Sequence, residues 1–123
     1  MNNPWHQLNK RDESGTTEIS AEATLAPESP WFDGHFPGAP ILPGIAQLAI
    51  VRDMLRRHMA GTGGQIMVVA IKRVRFRQMI KPSDTIMLTA TREPDDPSAY
   101  KFRVTVQNQV ACSGTMVTAP GER

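Results

Sequence analysis

A chain of 123 residues fits one domain, long enough to bury a core and too short for two substantial ones. Fourteen Lys and Arg against twelve Asp and Glu leave a formal charge of +2, too small a bias to argue for a polyanionic partner without local clustering. Cys112 is the lone cysteine, which excludes an internal disulfide, favours a reducing compartment and reads as a small strand residue.

Residues 1–15 are polar and expected to be loosely ordered. They contain neither the basic n-region nor the apolar h-region of a secretion signal, and no run reaches the roughly 18 apolar residues that span a bilayer. The expectation is a cytoplasmic protein with no membrane partner. From Thr17 to Leu25, the residues Ile19, Ala21, Ala23 and Leu25 alternate with Glu18, Ser20, Glu22 and Thr24, the period of a half-buried strand. Pro27 and Pro30 end it. The run Gly34 to Gly44, GHFPGAPILPG, places His35 in a turn stiffened by Pro37, Pro40 and Pro43.

A helix is predicted from Pro43 to Ala60. Pro43 has no N–H to leave unsatisfied at the first turn, and Gly61 suits the C-terminal cap. Ile45, Ala46, Leu48, Ala49, Ile50 and Val51 make its first half apolar on nearly every side, whereas Arg52, Asp53, Arg56, Arg57 and His58 crowd the second half. That pattern describes a helix that enters a core and emerges from it. Beyond the glycine turn at Gly61 to Gly64 come three strand-like runs: Ile66 to Met79, Thr85 to Arg92, and Tyr100 to Met116, the last bent or broken near Asn108. Pro82 to Asp84 and Pro94 to Pro97 mark the turns between them. The GTGG turn lacks the Lys-Ser/Thr of a phosphate loop, and neither His6 nor His58 has partners at metal-ligand spacing, so no metal or cofactor is expected.

One buried helix followed by long antiparallel strands satisfies itself if the sheet curls around the helix. The expected fold is therefore α+β, a hot-dog domain over residues 16–119, with a loose segment at 1–15 and a tail at 120–123. Its sheet edges are expected to close by pairing with a second copy, giving a homodimer or a higher even oligomer.

The segment FDGHFPGAPILPG, the helix after it, and VRFRQMIKPSD leading into an apolar strand resemble the hot-dog β-hydroxyacyl-(acyl carrier protein) dehydratases, whose pattern is approximately GHFPxxPIMPG. The likeness runs from about Trp31 to Thr118. Its LPG–IAQL detail is closest to the small dehydratase-like proteins encoded with aryl-polyene or polyketide-type lipid pathways. The resemblance implies that His35 acts at Cα and Cβ of a 3-hydroxyacyl thioester, that Gly44 offers its backbone N–H to the thioester carbonyl, and that Phe36 and position 49 contact substrate. The chemistry is coherent: a neutral imidazole removes a weakly acidic α-proton only if the developing enolate is stabilised, and a helix N-terminus supplies donors at that oxygen. A structural turn histidine is the alternative for His35.

The family places a glutamate or aspartate fourteen residues after the histidine, contributed from the partner subunit, to assist loss of the hydroxyl. Here that position is Ala49. Asp53, four residues on and about 6 Å further along the axis, is the candidate substitute, although its place four before Arg57 equally suits an ion pair. Gln47 is a poor acid and points about 200° away from Ala49. Arg73, Arg75 and Arg77 share one strand face, with Val74 and Phe76 expected to face the core, and with Lys81 they form a candidate docking surface for an acyl carrier protein. A solvated strand face is the alternative. No nucleic-acid signature accompanies the arginines. Three functions follow: a dehydratase, a non-catalytic acyl-binding scaffold paired with an active homologue, or a thioester hydrolase or isomerase using the same pocket. Acyl-chain length is expected to depend on tunnel side chains such as Met54, Met79 and Met87.

Overall fold

The computed structural model describes residues 6–12, 18–26, 29–30, 42–61, 64–81 and 84–121. His35, Phe36 and the rest of the proline-rich turn through residue 41 lie outside them.

Six antiparallel strands form one sheet in the order β1-β2-β4-β5-β6-β3, with a single helix against it. The strands are β1 (Gln7–Asp12), β2 (Glu18–Thr24), β3 (Ile66–Phe76), β4 (Thr85–Arg92), β5 (Ala99–Val106) and β6 (Gln109–Pro120), and α1 spans Gly44–Gly61 between β2 and β3. Two-residue alternation fixes which face of each strand meets the helix. Ile19, Ala21 and Ala23 on β2, Ile86, Leu88 and Ala90 on β4, and Phe102, Val104 and Val106 on β5 are all buried in the core, while the residues between them face solvent. This is the hot-dog arrangement.

The break expected near Asn108 is a two-residue hairpin turn. Gln107 and Asn108 adopt φ of 51° and 64° between the paired ends Val106 and Gln109, the left-handed geometry that matches strand twist. In α1 the buried residues are Ala46, Gln47, Ile50, Val51, Met54 and Leu55, spaced three and four apart, so one stripe runs the helix's length. The helix does not emerge from the core as expected. Its charges at Arg52, Asp53, Arg56 and Arg57 lie on the opposite side, and Ile45 in the supposedly buried half is 74% exposed.

Residues 7–12 form a strand rather than a loose segment, and this corrects the sequence reading. Gln7 to Asp12 have no alternation to betray them; pairing with the free edge of β2 makes the strand, a tertiary effect that overrides propensity. At the other end, Pro120 closes β6 opposite Ile66, and the Gly121 N–H donates to Gln65 O at 2.9 Å. The third strand ends at Phe76, three residues earlier than expected, and bulges between Lys72 and Arg75. Arg73 in that bulge has φ of 57°, a left-handed conformation costing on the order of 1 kcal/mol for a residue with a Cβ.

Candidate functional site

The described part of the site is the start of α1. Leu42 is buried, and its N–H donates to Ile80 O at 2.7 Å, tying the approach to the helix onto the segment that follows β3. Pro43 O accepts from the N–H groups of Ala46 at 3.0 Å and Gln47 at 3.3 Å, which closes the first turn. Helix geometry leaves the N–H groups of Gly44 and Ile45 without an intrahelical acceptor, at the positive end of the dipole. Such an end can hold a carbonyl oxygen that is gaining negative charge.

Gly44 also sits under an aromatic ring. A Cβ built there would lie 2.8 Å from Cζ and 2.9 Å from Cε1 of Phe76, so the absence of a side chain is what lets the ring cover the helix start. Phe76 was expected to face the core. Its ring does point to the helix side, against Gly44, yet it is 52% exposed because β3 ends there, whereas Val74 packs against the core.

Ala49 is half-buried on the sixth residue of the helix. Gln47 is buried, and its Oε1 has no hydrogen-bond partner among the described residues, a buried acceptor one turn from Gly44. Asp53 lies nine residues beyond Gly44, about 13.5 Å along the axis. Its carboxylate forms the ion pair with Arg57 that the spacing allows, at 3.1 Å, and also meets Nε2 of His6 at 2.9 Å. Burial alone would raise the Asp53 carboxyl, but the His6 hydrogen bond and the Arg57 charge together outweigh it and hold it below the ordinary aspartate value. Sequence reasoning missed His6, since the contact joins residues 47 apart and local spacing carries no signal of it.

A depressed folded pKa means that the stabilisation is present above the unfolded value of 3.8 and is lost as the pH falls through the folded value. Asp53→Asn is accordingly expected to lower Tm at neutral pH, with the deficit shrinking below about pH 4. Thermal melts of both proteins between neutral and acid pH check this.

The strand arginines gather on the outer face of the sheet. Arg75 pairs across from Ser113, while its neighbour Phe76 pairs across from the buried Cys112, so the two point to opposite faces. Arg73 and Arg75 line one cavity with Arg103, and Arg77 lines an adjoining one that shares Arg103. Arg103 was not singled out from the sequence. Lys81 is exposed in the loop before β4, where its backbone N–H donates to Asp84 Oδ2 at 2.8 Å. Of the methionines expected to set a tunnel depth, Met54 is fully buried, but Met79 and Met87 are exposed, the latter on a solvent-facing position of β4. Burial pushes the Cys112 thiol up to about 11, which leaves it protonated and a poor nucleophile at neutral pH. Among the described residues no cluster of His, Cys, Asp or Glu could hold a metal ion, and no helix is long and apolar enough to cross a membrane.

A family model described as ApeI dehydratase matches residues 10–115, most of the chain, from within β1 through the helix to the middle of β6. The chain belongs to the ApeI-like dehydratase family. This member is 27% identical to a chain of the dehydratase heterocomplex ApeI:P from Xenorhabdus doucetiae, covering 92% of its own length and 96% of that chain at a TM-score of 0.74. It is 31% identical to the 3-hydroxyacyl-acyl-carrier-protein dehydratase FabZ of Chloroflexus aggregans over 80% of its own length and 72% of that enzyme. With FabZ of Rickettsia felis the identity is 32%, over 67% of this chain and 61% of the relative's length. A thioesterase from Streptococcus pneumoniae with coenzyme A shares the fold at a TM-score of 0.68 and 7% identity, covering 96% of this chain and 87% of that one. That likeness, to a hypothetical thioesterase, is one of fold alone.

Proposed function

We propose that this protein dehydrates 3-hydroxyacyl thioesters carried by an acyl carrier protein, in fatty-acid, polyketide or aryl-polyene-type lipid synthesis in the cytoplasm. The observation that carries the reading is the open helix N-terminus at Gly44, preceded directly in the chain by the His35 motif, in a member of a dehydratase family. His35 takes the α-proton as the thioester carbonyl draws negative charge toward the Gly44 N–H. The imidazolium then returns that proton to the departing hydroxyl, directly or through a water, so a double bond forms and one water leaves. Phe76, over Gly44, walls the chain at that point. Asp53, held ionised between His6 and Arg57, braces β1 against α1 and is not the proton donor.

The protein acts as a homodimer joined at β3. Among the described residues that strand pairs only with β6, leaving its other edge open, and it carries Met67, Val69 and Ile71 exposed. Arg73, Arg75, Arg77 and Lys81 receive the acidic carrier protein; Arg75 is one residue from Phe76, so the docked carrier sits one sheet thickness from the helix start.

Turnover of a 3-hydroxyacyl carrier-protein substrate by the wild type, His35→Ala and Asp53→Asn tests the reading. His35→Ala is expected to lose about 100-fold to 10,000-fold, and Asp53→Asn to stay close to the wild type. Loss of activity in both variants would instead make Asp53 the relocated acid. A second reading, a non-catalytic scaffold that pairs with an active homologue, is favoured by one observation, the methyl group at Ala49. The heterocomplex formed by the Xenorhabdus protein supports it. An inactive wild type that gains turnover only with such a partner establishes it.

A further inference from the structure

The solvent face of the sheet carries a polar assembly that the site at Gly44 does not use. Arg103 on β5 pairs across from Ser113 on β6, and Ser113 pairs across from Arg75 on β3, which makes one cross-strand row. In the next row, Lys101 pairs across from Thr115, and Thr115 from Lys72. Strand spacing sets the Cα atoms of Arg103 and Arg75 about 10 Å apart with Ser113 midway, and sets the two rows about 7 Å apart. The bulge brings Arg73 to the same place. A cavity of about 540 Å³ lies over these residues, lined by Arg73, Arg75, Lys101 and Arg103 together with the hydroxyls of Ser113 and Thr115.

The balance of charge there is one-sided. Four cations line the cavity against one carboxylate, Glu18, which accepts a hydrogen bond from the Thr91 hydroxyl at 3.3 Å. None of the four has a carboxylate partner among the described residues. Like charges on neighbouring positions of one sheet face repel, and a face that served only solubility would intersperse the signs. Arg73 adds a strained backbone to that cost.

We propose that this face is a binding site for a phosphate group, a phosphomonoester or phosphodiester held by the guanidinium groups of Arg75 and Arg103 and by the Ser113 hydroxyl, with Arg73 and Lys101 supplying charge. A tetrahedral oxyanion presents its acceptor oxygens in several directions and so can engage two guanidinium forks and a hydroxyl at once, which a planar carboxylate does less well. The four cations line one cavity, which fits a compact anion better than an extended acidic surface. Arg73 and Arg75 are shared with the stretch assigned to carrier docking, whereas Arg103, Lys101 and Ser113 lie outside it, so substitutions at Arg103 and Ser113 separate the two readings.

Amide NMR titrations of the full-length chain test it, using inorganic phosphate, phosphatidylcholine vesicles with and without phosphatidic acid, and sodium chloride at matched ionic strength. Saturable shifts at Ser113, Gly114 and Thr115 with phosphate are expected, about tenfold weaker in Arg103→Gln and reduced in Ser113→Ala, both solvent-reachable positions whose spectra report folding directly. Response to free phosphate assigns a small phosphoester; response only to the phosphatidic acid vesicles assigns a lipid headgroup, and either supports the site. Equal shifts with chloride, affinity unchanged in Arg103→Gln, or a response only to an acidic carrier protein overturns it. Turnover of wild type and His35→Ala, measured alongside, reports on the dehydratase reading alone.

Discussion

Replacing Ala49 by glutamate raises the rate of dehydration by about 100-fold or more, the contribution of a well-placed acid or base. The hydroxyl of a 3-hydroxyacyl chain is a poor leaving group, and in the proposed reaction, with a methyl group at position 49, its departure would depend on a proton returned by His35. A carboxyl one and a half turns into the helix, about 7.5 Å along the axis from Gly44, would supply that proton while the imidazole attends to Cα. The helix can accept it. Ala49 is half-buried and outside the core stripe of Ala46, Ile50 and Met54, so the added atoms displace no core side chain. Repulsion from Asp53 at i+4 is offset by attraction to Arg52 at i+3, each worth roughly 0.2–0.5 kcal/mol. Proximity to the ionised Asp53 also raises the pKa of the new carboxyl, which keeps more of it in the protonated form that an acid needs. Single-turnover assays of Ala49→Glu against wild type check this, and a folded variant with an unchanged rate would show that position 49 does not border the reacting carbon.

How far the sequence discloses this molecule depends on the range of each signal. Alternation on β2, β4 and β5 is local, so these strands and the faces they bury were readable, and Pro43 with Gly61 marks the helix to within a residue at each end. The half-buried edge of the fold was not. β1 exists because β2 has a free side, and no residue from Gln7 to Asp12 announces it. The bulge at Arg73 was equally silent, yet it ends the simple alternation assumed for Arg73, Val74, Arg75 and Phe76 and leaves Phe76 over Gly44. In the site, the lack of an acid at Ala49 and the glycine at the helix start are visible in the linear motif. The bond between His6 and Asp53, and the row that joins Arg75 to Arg103 through Ser113, are products of strand order and needed the folded chain. Residues that act within one turn of the chain were legible, and residues brought together by pairing were not.

Placing lysine at both Val69 and Ile71 is expected to separate the protomers and, with them, to abolish turnover. β3 is an 11-residue strand at the end of the sheet, paired on one side only among the described residues, and its exposed Met67, Val69 and Ile71 are costly to leave in water. A second copy related by a two-fold axis would pair antiparallel along that edge and cover them, and with the axis passing near Ala70, residue 69 of one copy meets residue 71 of the other and residue 71 meets residue 69. Introduced lysines then face like charges across the axis, a juxtaposition that costs several kcal/mol and weakens the dimer by about two orders of magnitude or more. Both positions are exposed in the single protomer, so the substitutions leave its core intact. Sedimentation equilibrium should therefore report a folded monomer, and its loss of 3-hydroxyacyl turnover would place part of the working site across the interface. A variant that stays dimeric places the interface elsewhere; one that is monomeric yet fully active confines the whole reaction to one protomer.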